Sequence, residues 1–329
     1  MLSPSSSAKR SRSRFAIPAV AYSATPVKLF ANISEKHPSA TVTQKAPSAI
    51  AQRLPDPKST ERTQRFREFE LDGRVYVVTG GAQGLGLGLA EAVVEAGGHV
   101  YCLDVQGKPN ETFLDTQQRL AQCYGATLHY RQVDVQHAEQ LETVISAIGE
   151  KHSRMDGLIA AAAIQRVEPA LTYPPEQMTK MMNVNYGGVY YSAVACARQM
   201  IKYKTAGSML LVGSMSGLNA NKGLTSSVYN SSKAAVIQLG RSLAMEWGQI
   251  IDGKAIRVNV LSPGNIMTPM VEQNFKDDPS LKETWERANM MGRLSEVREY
   301  RGAALFMLSD ASSFMTGSNL VIDGGYTAW

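Results

Sequence analysis

From Gly73 to the C-terminus, short runs of β-branched and apolar residues alternate with segments of helical length. Apolar strings that carry no polar alternation are buried on both faces. Joined by helix-length crossovers, they form a parallel sheet covered on both sides. Strands are predicted over residues 75–78, 100–103, 128–133, 158–162, 209–212, 257–261 and 319–322. The intervening helices fall over 85–96, 112–124, 138–151, 175–204, 227–247 and 295–308, the first stopped by Gly97-Gly98. Residues 268–292 read as an irregular, Met-rich stretch, and 250–255 as a surface insertion. The pattern runs without interruption or internal repeat, which predicts one doubly wound α/β domain over 71–329 with a seven-stranded parallel sheet.

Residues 1–70 stand apart. They carry 12 Lys/Arg against 5 Asp/Glu, whereas the rest of the chain carries 22 against 24. The net charge of +5 therefore belongs to the extension, and the body offers no electrostatic case for nucleic-acid binding. Lys9, Arg10, Arg12, Arg14 and Lys28 all precede the first acidic residue, Glu35, in a Ser-rich context. Basic, Ser-rich and acid-poor composition marks a mitochondrial presequence. A disordered tail on a cytoplasmic protein and a nuclear signal at 9–14 remain open beside it. A short helix leading into the body is predicted over 59–71. No apolar run approaches the roughly 18 residues of a membrane span. Cys102, Cys123 and Cys196 are odd in number and far apart, and the five histidines lack ligand spacing, so neither a disulfide framework nor a metal site is expected.

Between the first strand and its helix lies Thr79-Gly80-Gly81-Ala82-Gln83-Gly84-Leu85-Gly86. Glycines at 80, 84 and 86 leave backbone bare where a pyrophosphate could approach the N–H groups of the helix start. Asp104 ends the second strand about twenty residues on, where a carboxylate accepts both ribose hydroxyls and repels a 2′-phosphate. Gln83 and Val105-Gln106-Gly107 supply no cation, so NAD is expected rather than NADP. Asp134 ends the third strand and is placed, by position alone, to meet the adenine.

Tyr229 and Lys233 are four residues apart in a predicted helix and so share a face. An ammonium beside a phenol favours the phenolate, which predicts a Tyr229 acidic enough to exchange protons with an alcohol or ketone. Ser214 would hold the same substrate oxygen.

The glycine turn, Asp104, Asn185, Ser214, Tyr229, Lys233, Ser262-Pro263-Gly264 and the closing Asp323-Gly324-Gly325, in that order, resemble the short-chain dehydrogenase/reductase family, a Rossmann-type fold, over 71–329. The resemblance implies a catalytic tetrad. Tyr229 is the acid/base and Lys233 binds the nicotinamide ribose. Ser214 orients the substrate, and Asn185 holds a proton-relaying water. Pro263, Gly264 and Thr268 lie against the carboxamide. A homo-oligomer, dimer or tetramer, built through helices 175–204 and 227–247 is also implied. Ala160-Ala161-Ala162-Ala163 departs from the family's Asn-Asn-Ala-Gly, and Ser216 rivals Ser214 at the commoner spacing of thirteen from the tyrosine.

Within the family, Gly213-Ser214-Met215-Ser216-Gly217 and the ending Gly325-Tyr326-Thr327-Ala328-Trp329 look most like D-arabinitol and related polyol dehydrogenases. A sugar alcohol and its ketose are therefore the expected substrate pair. The alternative is a ketoreductase acting on an acyl or secondary-metabolite ketone. Gln165, Ser216, Asn219, Asn221 and Asn265 are candidate hydroxyl partners, and Met267, Met270, Met290 and Met291 a candidate apolar lid.

Overall fold

The computed structural model describes residues 66–329; the expectations for the basic extension lie outside the described residues. A single 3-10 turn, Arg67–Phe69, precedes the body, and Leu71 is the first residue fully buried in its core.

Seven strands form one parallel sheet: β1 (Val75–Thr79), β2 (His99–Asp104), β3 (Leu128–Gln132), β4 (Gly157–Ala160), β5 (Ser208–Val212), β6 (Arg257–Pro263) and β7 (Asn319–Ile322). Their order is β3-β2-β1-β4-β5-β6-β7. The chain moves outward from β1 through β2 to β3, then returns to the other side of β1, where Thr79 lies beside Ala160 of β4. Crevices open at such reversals, beyond the carboxyl ends of the strands.

Alternation along each strand sends side chains to two cores. Val75 and Val77 pack with α3 (Ala138–His152), α5 (Gly188–Lys202) and α6 (Ser227–Trp247) through Leu141, Ile145, Val189, Cys196, Val236 and Leu243. Tyr76 and Val78 pack on the opposite face with α1 (Gly84–Glu95), α2 (Glu111–Tyr124) and α9 (Arg301–Leu308) through Leu89, Val93, Phe113, Leu120 and Met307. Asp156, buried at the foot of β4, accepts from the Val75 N–H at 2.8 Å and pairs with Arg154 at 2.7 and 2.8 Å, tying β4 to β1.

Three expectations need correction. The helix predicted over 175–204 is α4 (Pro175–Met182), a π turn (Asn183–Gly187) and then α5. The stretch 268–292 is not irregular: it folds as α7 (Pro269–Asp277) and α8 (Ser280–Arg287) around Val271, Leu281, Trp285 and Leu294. The 250–255 insertion is only partly on the surface. Ile251 is buried in the sheet core and pairs with Lys254 across a tight turn.

Candidate active site

A cavity of about 540 Å³ opens where the strand order reverses. Gly80, Gly84, Leu85, Gly86, Asp104, Asp134, Ser214, Tyr229, Lys233, Pro263, Gly264 and Thr268 all line it. Of the expected tetrad and dinucleotide residues, Asn185 alone does not.

At the nucleotide end, Gly80 has φ +67° and packs so closely that a Cβ would stand 2.7 Å from the Cα and N of Ala162. Only glycine meets both demands without strain. A Cβ on Gly86 would strike the Gly80 carbonyl, whereas one on Gly84 would meet nothing nearer than Thr268 at 3.8 Å. The turn thus offers bare backbone at the start of α1. Asp104 Oδ2 accepts from the Ala82 N–H at 3.1 Å, which orients the carboxylate; among the described residues its Oδ1 has no protein donor. Asp134 is steadied by Gln136, through the N–H at 3.0 Å and Nε2 at 3.2 Å. A glycine cradle that a Cβ would fill and an oriented carboxylate with a spare oxygen fit an adenine dinucleotide.

Tyr229 and Lys233 lie one turn apart on α6. Lys233 is 2% exposed; its Nζ donates to the Val212 carbonyl at 2.9 Å and lies 5.8 Å from the centroid of the Tyr229 ring. Among the described residues no carboxylate pairs with it, and burial pulls its amine down to about 8. The phenol departs from expectation. Burial pushes Tyr229 up to about 12, with the Ser214 hydroxyl working the other way. Desolvation of the phenolate is the leading cause, although the Tyr229 side chain is only half-buried, and the Lys233 ammonium spends its hydrogen bond on the sheet.

Ser214 caps the 3-10 turn Met215–Gly217, its Oγ accepting from the Ser216 N–H at 3.1 Å. That leaves its own O–H to donate. Ser216 Oγ accepts from Asn221 Nδ2 at 2.8 Å. Of the two serines, only Ser214 acts on the phenol.

The Asn185 side chain is committed elsewhere. It is fully buried in the π turn, where Oδ1 accepts from the Ile164 N–H at 2.9 Å and Nδ2 donates to Ile164 O and Ser232 Oγ, each at 3.0 Å. Both amide hydrogens are spent, so the side chain clamps the loop after β4. The alanines of that loop are secured by Thr79, whose carbonyl accepts from Ala161 N–H at 3.1 Å and whose Oγ1 accepts from Ala162 N–H at 3.5 Å.

Of the candidate substrate contacts, Gln165, Ser216, Asn221 and Asn265 line the cavity and Asn219 does not. Met270 also lines it, whereas Met267, Met290 and Met291 are exposed outside it and form no lid over it. Leu224, Val271, Asn274 and Trp285, unforeseen in the sequence, complete the wall. Among the described residues, no cluster of three or more His, Cys, Asp or Glu could hold a metal ion, and no helix is long and apolar enough to cross a membrane.

A family model described as enoyl-(acyl carrier protein) reductase matches residues 80–327. A short-chain dehydrogenase/reductase of Aspergillus versicolor is 40% identical over 262 residues, 79% of this chain and 89% of the relative. A ribulose-forming D-arabinitol 2-dehydrogenase of Scheffersomyces stipitis is 37% identical over 275 residues, 79% of this chain and 96% of the relative. Among solved structures, the NADPH-dependent 3-quinuclidinone reductase of Rhodotorula rubra superimposes with a TM-score of 0.72 at 33% identity, covering 84% of this chain and 100% of its own. Fold, cavity chemistry and relatives agree: the chain belongs to the short-chain dehydrogenase/reductase family and is an NAD(P)-dependent oxidoreductase.

Proposed function

We propose that the enzyme transfers a hydride between NAD(H) and a secondary alcohol/ketone pair, a sugar alcohol such as D-arabinitol and its ketose. The reading is carried by one observation. Tyr229, Lys233 and Ser214 line the same cavity as the glycine turn and Asp104, so a proton-exchanging group stands beside a dinucleotide cradle. The nicotinamide, when bound, supplies the hydride acceptor or donor and, in its oxidised form, a positive charge. Tyr229 exchanges the hydroxyl proton, Ser214 donates to the substrate oxygen, and Lys233 holds the nicotinamide ribose. Raised by burial, the phenol rests protonated and is set to give its proton to a ketone. Alcohol oxidation requires that proton to leave first, which nearby positive charge favours. Ser214 is preferred to Ser216 because its hydroxyl is the one that acts on Tyr229. Asn185 serves by position, bracing Ile164 against α6. Pro263, Gly264 and Thr268, which line the cavity, would hold the carboxamide.

Asp104 and the uncharged Val105 and Gln106 support NAD over NADP. The arabinitol relative and the hydroxyl-pairing residues of the wall support a polyol. We also propose a homo-oligomer formed through α4, α5 and α6, and an N-terminal targeting extension of mitochondrial type. The test is turnover of D-arabinitol, mannitol and xylitol against hydrophobic ketones, with NAD and with NADP. Tyr229→Phe should lower turnover at least a hundredfold. Faster turnover with NADP would refute the role of Asp104, and activity on ketones alone would favour the ketoreductase alternative.

A further inference from the structure

The cavity holds a polar pair that the proton-transfer chemistry does not use. Gln165 follows the loop after β4 and Asn274 lies on α7, and the two line one wall. Asn274 Nδ2 donates to Gln165 Oε1 at 3.0 Å, across 109 residues of sequence. Asn274 is only 8% exposed, and its surroundings include the apolar Val271, Leu224 and Trp285. Placing an amide in such a wall is costly unless its hydrogen bonds are met.

Each amide carries two donor hydrogens and an acceptor oxygen, and the mutual bond leaves Gln165 Nε2 and Asn274 Oδ1 unused. Among the described residues neither atom has another partner, and neither is fully buried without one, in contrast to Asn219 Oδ1 and Asn221 Oδ1; both residues of the pair line the cavity. The wall therefore presents one donor beside one acceptor, already aligned by their own bond. Exchanging oxygen and nitrogen on both amides leaves the same offer. A hydroxyl both donates and accepts, so it satisfies both groups at once; an alkyl chain satisfies neither.

The pair is also held in register with the reacting centre. Gln165 is bonded to Ile164, which the Asn185 side chain grips by both N–H and C=O. Asn185 in turn donates to Ser232 Oγ at 3.0 Å, and Ser232 donates to the carbonyl of Tyr229 at 2.7 Å. A short chain of hydrogen bonds thus links the backbone of Tyr229 to the loop that carries Gln165.

We propose that Gln165 and Asn274 act together as the specificity-determining element. They recognise a substrate hydroxyl remote from the carbon that is oxidised, and so select polyhydroxylated over alkyl alcohols. The inference rests on the sugar-alcohol reading above. It is tested by steady-state kinetics of the full chain with NAD on D-arabinitol and on 2-octanol, for the parent, Gln165→Leu, Asn274→Leu and the double variant. Each single variant should raise the arabinitol KM about tenfold or more while kcat falls far less, because a site built to pair a hydroxyl is left unpaired. The double variant should be little worse than either single one, since the two side chains act as a unit. Activity on 2-octanol should rise. An arabinitol-active parent whose KM is unmoved by Gln165→Leu overturns the pair alone. A parent inactive on every alditol overturns the sugar-alcohol reading and the pair with it. Should Asn274→Leu not fold, Gln165→Leu, at a half-buried position, decides the matter.

Discussion

Replacing Lys233 by methionine should abolish turnover and leave the protein more stable at neutral pH. The amine sits 2% exposed with no carboxylate beside it among the described residues, and its pKa falls from 10.5 to about 8. At about 1.4 kcal/mol per pKa unit, keeping the charge buried costs about 3 kcal/mol. Methionine removes that cost but deprives the Val212 carbonyl of its donor, a loss of about 1–2 kcal/mol. The net gain is about 1 kcal/mol, or roughly 2–4 °C in Tm for a domain of this size. Its pH dependence identifies the cause. A depressed lysine penalises folding fully below pH 8, where both states are protonated. The penalty fades between pH 8 and 10.5, where only the unfolded chain keeps the proton. Urea melts of both proteins without dinucleotide should therefore show the variant's advantage shrinking by about 3 kcal/mol over that interval and turning into a deficit. Tyr229 titrates higher in both proteins and cancels in the difference. A variant that is less stable at pH 7, with a gap that does not change to pH 10.5, would refute the buried-charge account.

Gly80→Ala should lower stability by about 2–3 kcal/mol and raise the dinucleotide KM, because positive φ and the Ala162 backbone both oppose a methyl group; thermal melts and NAD titrations measure the two effects. Asp156→Leu should cost about 2–3 kcal/mol by stripping the acceptor from the Val75 N–H and from Arg154, read as a fall in the urea midpoint with unchanged m-value. Because burial raises the Tyr229 phenol, ketone reduction should be flat from pH 6 to 8, while log kcat/KM for alcohol oxidation climbs with pH; a flat oxidation profile would count against Tyr229 as the proton acceptor.

Much of the architecture was legible because period and punctuation carry it. Val75, Val77 and their neighbours are apolar on both strand faces, and Gly97-Gly98 ends α1 where a stop was predicted. The dinucleotide end was legible for the same reason: glycine placement is a backbone constraint that shows directly in sequence. The lid was not. α7 and α8 are nine and eight residues long, split by Pro279 and rich in charge, so their periodicity is too short to register. Asn274 escaped notice because a polar residue inside a short helix looks solvated until its burial is known. The direction of the Tyr229 shift was misread because spacing places a cation near a phenol but says nothing of the water removed from both. Asn185 was found by its place in the motif, whereas the partners that use up its amide lie 21 and 47 residues away in sequence.

The segment of α7 and α8 packs around a nucleus of its own, Val271, Leu281, Trp285 and Leu294, separate from the two layers that flank the sheet. Its apolar packing is largely its own, and polar bonds such as Asn274 to Gln165 and Trp285 Nε1 to the Lys222 carbonyl tie it to the scaffold. A lineage can exchange this cassette, and with it the molecules it admits, while the machinery beneath stays as it was.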